Sequence, residues 1–244
     1  GNGTINAGTA LGAILGGPIG ALLGGLAGGV INRLFGRKLK ESGVEGDFGG
    51  ESGFEGRLYK FYKGGAFRSN KTRYEELPEE MRSALGDQFL AMDESIRAMA
   101  GAVGLGGDAL DGFTAKLKVN LKGLSEEEAT KKLQEEFQKI ADQMGALVLT
   151  TDEYTQAGET QLEALTRLST SITLANEWFK AIGDTLYSVS LAGADMASEV
   201  MDAFGGADKF AAATSNYYDK FYSDQEKVAN QTRLLNEALK KLGV

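Results

Sequence analysis

FTAKLKVNLKGLSEEEA, residues 113–129, holds a strand, a break and a helix start in one run. Phe113, Ala115, Leu117, Val119 and Leu121 alternate with Thr114, Lys116, Lys118 and Asn120. This period of two predicts a strand over Phe113–Leu121 with one buried and one wet face, as in a sheet covered on one side. Gly123 breaks the strand, and Ser125-Glu126-Glu127-Glu128 has the spacing of a capping box. The helix it opens would bury Ala129, Leu133, Phe137, Ile140 and Met144.

Upstream, Pro78 with Glu79 and Glu80 marks a helix start, the carboxylates near the positive end of the dipole. Leu85, Phe89, Met92, Ile96 and Met99 then share one face. Gly104-Leu105-Gly106-Gly107 has neither a preceding strand nor a following Lys-Ser/Thr, so it reads as a loop and not as a phosphate cradle. Between Lys40 and Tyr74, short aromatic runs alternate with glycines. They predict strands at about Val44–Phe48, Leu58–Lys63 and Ala66–Ser69, with Gly64-Gly65 supplying positive φ for a hairpin turn. The cations Arg57, Lys60, Lys63, Arg68, Lys71 and Arg73 lie among these aromatics. Such a pattern can stack bases and meet phosphates. The simpler reading, a curled sheet with solvated basic tips, is preferred because no nucleic-acid motif accompanies it. The fold class is therefore α+β: a small antiparallel sheet with helices over residues 37–150.

Residues 151–244 read as mainly helical. Leu165, Leu168, Ile172, Ala175, Phe179 and Ile182 are spaced as a heptad seam, which suits either self-association or simple packing. Thr185–Leu191 is β-prone and stays unassigned. A short helix is expected over about Asp195–Phe204, ended by Gly205-Gly206, then another to about Tyr222. Ser223-Asp224-Gln225-Glu226 is a second capping box for a last helix. Trp178 and the cluster Tyr217, Tyr218, Phe221 and Tyr222 read as packing anchors.

Residues 1–36 differ from both regions. Gly8, Gly12, Gly16, Gly20, Gly24 and Gly28 recur at every fourth position, so on a helix they form a side-chain-free ridge, a glycine zipper. Leu11, Ile14, Leu15, Leu22, Leu26 and Ile31 lie opposite, and Arg33, Arg37, Lys38 and Lys40 follow as a basic collar suited to head groups. The apolar run is long enough to span a bilayer. Pro18 and the glycines equally allow two short helices or irregular chain buried against protein. Both readings stay open. The charges follow the apolar run, which argues against a signal peptide.

The chain of 244 residues has no cysteine and no histidine, which removes thiolate chemistry, the usual general base and the commonest metal ligand. It begins with Gly, as expected of a piece of a longer protein. The net charge of −8 is uneven, since Arg33–Tyr74 holds ten basic and five acidic residues. The acidic remainder argues against a dedicated nucleic-acid binder and suits a protein that lies near DNA without sticking to it. The carboxylate pairs Glu75/Glu76 and Glu79/Glu80 are explained by helix capping better than by glycosidase chemistry. No catalytic constellation, metal set or cofactor motif is present in the sequence, and the chain is read as a non-enzyme.

The glycine-ridged segment, FYKGGAFRSNKT (61–72), FTAKLKVNLKGLSEEEA (113–129) and the run from Phe204 to Gly243 together resemble the later part of tail length tape measure proteins of long-tailed, siphovirus-type bacteriophages. The GG-x-x-KF…YY-x-x-FYS-x-x-EK run and the LKGLSEEEA join are the most specific parts. The resemblance implies a structural virion protein acting in tail assembly and DNA ejection. It would lie in the tail lumen or tip, and at the host envelope during infection. Implied partners are tail-tip or distal tail proteins, the tail tube protein, further copies in a homo-trimer, the host membrane, and passing DNA that is not specifically bound. The globular middle and the lack of a long helical repeat depart from a ruler and point to a docking or tip module. Alternatives are a scaffolding module without membrane activity, a pore-forming protein and a cell-wall hydrolase.

Overall fold

The structure is a computed structural model and describes residues 41–241. The glycine ridge Gly8–Gly28 and the collar Arg33, Arg37, Lys38 and Lys40 lie outside the described residues. Two compact units are present: one holds residues 41–98 and 106–150, the other 99–105 and 151–241.

The first unit is α+β. Its strands are β1 (Gly43–Phe48), β2 (Phe54–Tyr62), β3 (Lys71–Glu76) and β4 (Ala115–Asn120). All neighbours are antiparallel, in the order β3-β2-β1-β4. Helices α1 (Glu79–Ala102) and α2 (Glu126–Val148) supply the other layer. The register puts Val44 opposite both Leu58 and Val119, and Phe48 opposite Phe54. These residues and Leu117 are buried. Phe48 is the hub of the core: its ring lies 4.6 Å from Phe54, 5.4 Å from Phe89 of α1 and 5.2 Å from Phe137 of α2. Aromatic pairs at such spacing add packing energy beyond the area they bury. Gly46 and Gly56 face each other in register, and a Cβ on either would come within 2.6 Å of the Phe54 ring. Glycine there is a seat for an aromatic, not a turn.

The β4–α2 join forms as expected. Ser125 Oγ accepts from Glu128 N at 3.2 Å, and Glu128 Oε2 accepts from Ser125 N at 2.8 Å. Every apolar residue assigned to the α2 face is buried, as are Leu85, Phe89, Met92, Ile96 and Met99 of α1. The hairpin is where expectation fails. Ala66–Ser69 is not a strand: the third strand begins at Lys71, and β2 begins at Phe54. Neither Gly64 nor Gly65 takes positive φ. Gly64 is needed for space, because a Cβ there would overlap the Arg68 carbonyl.

The second unit is helical: α3 (Gln161–Ile182), α4 (Leu191–Ala203), α5 (Ala207–Phe221) and α6 (Asp224–Lys241). Its core follows α3, which packs along α4. Serines and threonines on α3 spend their hydroxyls on its own carbonyls, as in Thr166 to Leu162 O and Thr173 to Ser169 O, each within 2.8 Å. Buried Ser169 does the same, donating to the Thr166 carbonyl at 3.1 Å. The unassigned patch is an irregular segment before α4. The Asn176 side chain brackets Tyr187 there, accepting its N–H at 2.8 Å and donating to its carbonyl at 3.1 Å. A side-chain amide thus takes the place of a strand neighbour. Gly205 and Gly206 end α4 with φ of 84° and 117°, and the Ser223–Glu226 box opens α6.

Candidate functional site

The sheet has one face under α1 and α2. The other carries Glu45, Arg57, Tyr59, Tyr74, Lys116 and Lys118, because side chains alternate along each strand. On this open face Glu45 accepts from Arg57 Nε at 2.9 Å and pairs with Lys118 at 3.5 Å. The Arg57 guanidinium lies 3.7 Å above the Tyr74 ring, and Lys118 Nζ lies 5.4 Å from the Tyr59 ring. Burial pushes the Tyr59 hydroxyl up from its ordinary pKa. Glu45, Arg57, Lys118 and the two tyrosine rings are therefore engaged with one another. A shallow hollow between them is floored by Gly46, Gly56 and Leu117.

β2 and β3 continue past this face. Beyond Gly43, which pairs with Tyr59, β1 supplies no further partner, so among the described residues Lys60–Tyr62 and Lys71–Arg73 pair only with each other. The two strands and their connection form an arm, residues 60–73. Its sequence KFYKGGAFRSNKTR has five basic residues and no acidic one. Lys60 is tied at its base to Glu75 at 3.1 Å, which holds its ammonium above the ordinary pKa. Lys63, Arg68, Lys71 and Arg73 make no ion pair among the described residues. Phe67, at the tip, is 100% exposed.

The second unit contains a cluster for which the sequence reading had no place. Arg167 grips Glu159 with two bonds, Nε to Oε1 at 2.8 Å and Nη2 to Oε2 at 3.0 Å. It also donates to Ser198 Oγ at 2.8 Å and to the Tyr154 carbonyl at 2.6 Å. Burial alone would raise the Glu159 carboxyl. The Arg167 hydrogen bonds and charge, with the Gln156 N–H, outweigh that and hold it below the ordinary value. Glu159 raises Arg167 in turn. This fork ties the loop before α3 to α4 and uses four of the five Arg167 N–H groups. Thr160-x-x-Glu163 is a third capping box, legible from its spacing and additional to the two expected.

Compared with known protein families, curated proteins and solved structures, the chain matches none.

The proposed association seam is distributed as follows. Leu165, Leu168, Ile172 and Ala175 are buried inside the chain, while Phe179 and Ile182 are half-buried. Apolar groups that do face solvent include Val228 and Leu235 on α6, each 60% exposed, and Phe221 at the end of α5. Trp178 meets Tyr217 edge-on at 6.0 Å, so the two aromatic features read separately in the sequence form one contact. Glu79 bonds Arg82 within the first turn of α1. Among the described residues no group of three or more His, Cys, Asp or Glu could hold a metal ion. Among them, too, no helix is long and apolar enough to cross a membrane.

Proposed function

We propose that this chain is a structural, non-catalytic module of a long-tailed phage tail, the tail-tip part of a tape measure protein. The supporting observation is that the stretches resembling that family coincide with the joins of the fold. LKGLSEEEA makes the β4–α2 join, and the KF…YY-x-x-FYS-x-x-EK run makes α5, the Ser223 box and the start of α6. The Arg167–Glu159 pair holds the loop before α3 to α4.

On this reading the partners are tail-tip or distal tail proteins and the tail tube protein. The apolar segment Thr9–Phe35 meets the host membrane during infection, and DNA passes an acidic chain without being held. Homo-trimer contact is assigned to α6, where Val228, Leu235 and Leu239 follow one side, because the front of the α3 seam is already buried. Immunogold labelling of virions tests the reading, with label expected at the tail tip. Unlabelled virions, with normal tails when the chain is deleted, would overturn it. Gly20→Leu or Gly24→Leu separates the two roles of the ridge. Blocked assembly favours the scaffolding role, and complete particles that fail at DNA entry favour the membrane role.

A further inference from the structure

We propose that the β2–β3 arm is a contact for an anionic lipid bilayer, with Phe67 entering the interface and Lys63, Arg68, Lys71 and Arg73 lying among the head groups. This goes beyond the tail reading and does not rest on it, since the arm is separate in sequence from the apolar segment.

The tip is built, not loose. Arg68 N donates to the Gly65 carbonyl at 3.1 Å, which closes a β-turn with Ala66 and Phe67 as its central residues. Asn70 Oδ1 accepts from Gly64 N at 3.0 Å and ties the two sides of the loop together. The turn therefore holds Phe67 at the apex, fully exposed, where its ring contributes nothing to folding. Behind it stand four cations without an ion-pair partner among the described residues. An apolar wedge with a basic surround matches a surface whose charge is negative and whose interior is apolar.

Charge also fixes which part of the protein could approach such a surface. Outside Arg33–Tyr74 the chain is strongly acidic, so its bulk is repelled where the arm is attracted. A nucleic-acid strand fits less well. Base stacking needs free ring faces in a row. Here Arg57 covers Tyr74 and Arg73 lies 5.6 Å from the Tyr62 ring. Adjacent Phe61 and Tyr62 point to opposite faces of the hairpin. A bilayer interface requires no such alignment.

The chain has no cysteine, so Ala66→Cys in the full chain places one fluorophore beside Phe67. The label is read with phosphatidylcholine vesicles and with vesicles containing added phosphatidylserine. A blue-shifted, brighter signal is expected only with phosphatidylserine, and it should fade as salt rises. Exchanging Lys63, Arg68 and Lys71 for glutamine should weaken partitioning by about tenfold or more. Phe67→Glu should abolish the signal while leaving thermal unfolding unchanged. A silent label, an equal response without phosphatidylserine, or a response that survives Phe67→Glu would overturn the proposal. So would a response to a single-stranded oligonucleotide in place of vesicles. Flotation run in parallel separates the two membrane ideas: a chain that floats with a silent label is bound through another segment, which sinks the arm and spares the tail reading.

Discussion

The inner and outer halves of β2 belong to one strand and have opposite surroundings. In the inner half, Phe54 and Leu58 are buried, and the Phe54 ring rests on Gly46 and Gly56 beneath α1 and α2. Its neighbouring charge, Arg57, is paired with Glu45 and stacked on Tyr74. In the outer half, Phe61 and Tyr62 are exposed, and Lys63, Arg68, Lys71 and Arg73 have no ion-pair partner among the described residues. The alternation is the same throughout. What differs is whether another element lies over the strand, and that decides whether an aromatic stabilises the fold or remains available to a partner.

The comparison predicts graded effects. Phe48→Ala, at the hub of the inner half, should cost about 3–5 kcal/mol, read as a shift in the urea midpoint of the first unit. A loss below about 1 kcal/mol would mean that the ring cluster is not what holds sheet to helices. Next is the supported charge of the second unit, set against the unsupported charges of the arm. Arg167→Ala should cost about 2 kcal/mol, because it leaves Glu159 partly buried and alone. The sign of the pH dependence sharpens this. Glu159 lies below its ordinary value, so its contribution is full above about pH 4.5 and is lost as pH falls through the lowered value. In Arg167→Ala, burial dominates and raises the carboxyl, so that group's contribution should fall with rising pH instead. An unchanged acid limb in thermal melts at several pH values would contradict the assignment.

Smaller again are the caps. Ser125→Ala and Thr160→Ala should each cost about 1 kcal/mol in denaturant unfolding, and equal effects are expected because both boxes have the same geometry. Smallest is Phe67→Ala, expected within about 0.5 kcal/mol by the same measurement. A cost like that of Phe48→Ala would mean that the arm is covered, and the contrast between the two halves would disappear.

Local signals were read well where they were self-contained. The β4 alternation, the Ser125 and Ser223 boxes, the α1 and α2 faces and the Gly205-Gly206 stop are each set by residues two to four positions apart. The Thr160 box is equally local, and the heptad spacing that follows it masks it in the sequence. The hairpin differs from its local signal for another reason: Gly64-Gly65 suggests a positive-φ turn, whereas Gly64 serves clearance from Arg68. The exposed arm followed from where β1 stops pairing, which the strand's own residues do not record.

Sequence alone determined the periods, the breaks and the caps, because hydrogen-bond satisfaction at helix ends and alternation along strands are decided between near neighbours. It also fixed the absence of histidine and cysteine and the acidic balance. Only the tertiary structure decided that the front of the α3 seam is buried, that Arg167 meets Glu159 and Ser198, and that the last third of β2 projects past β1. Those outcomes depend on which distant surfaces compete for the same apolar face, and no local spacing encodes that competition.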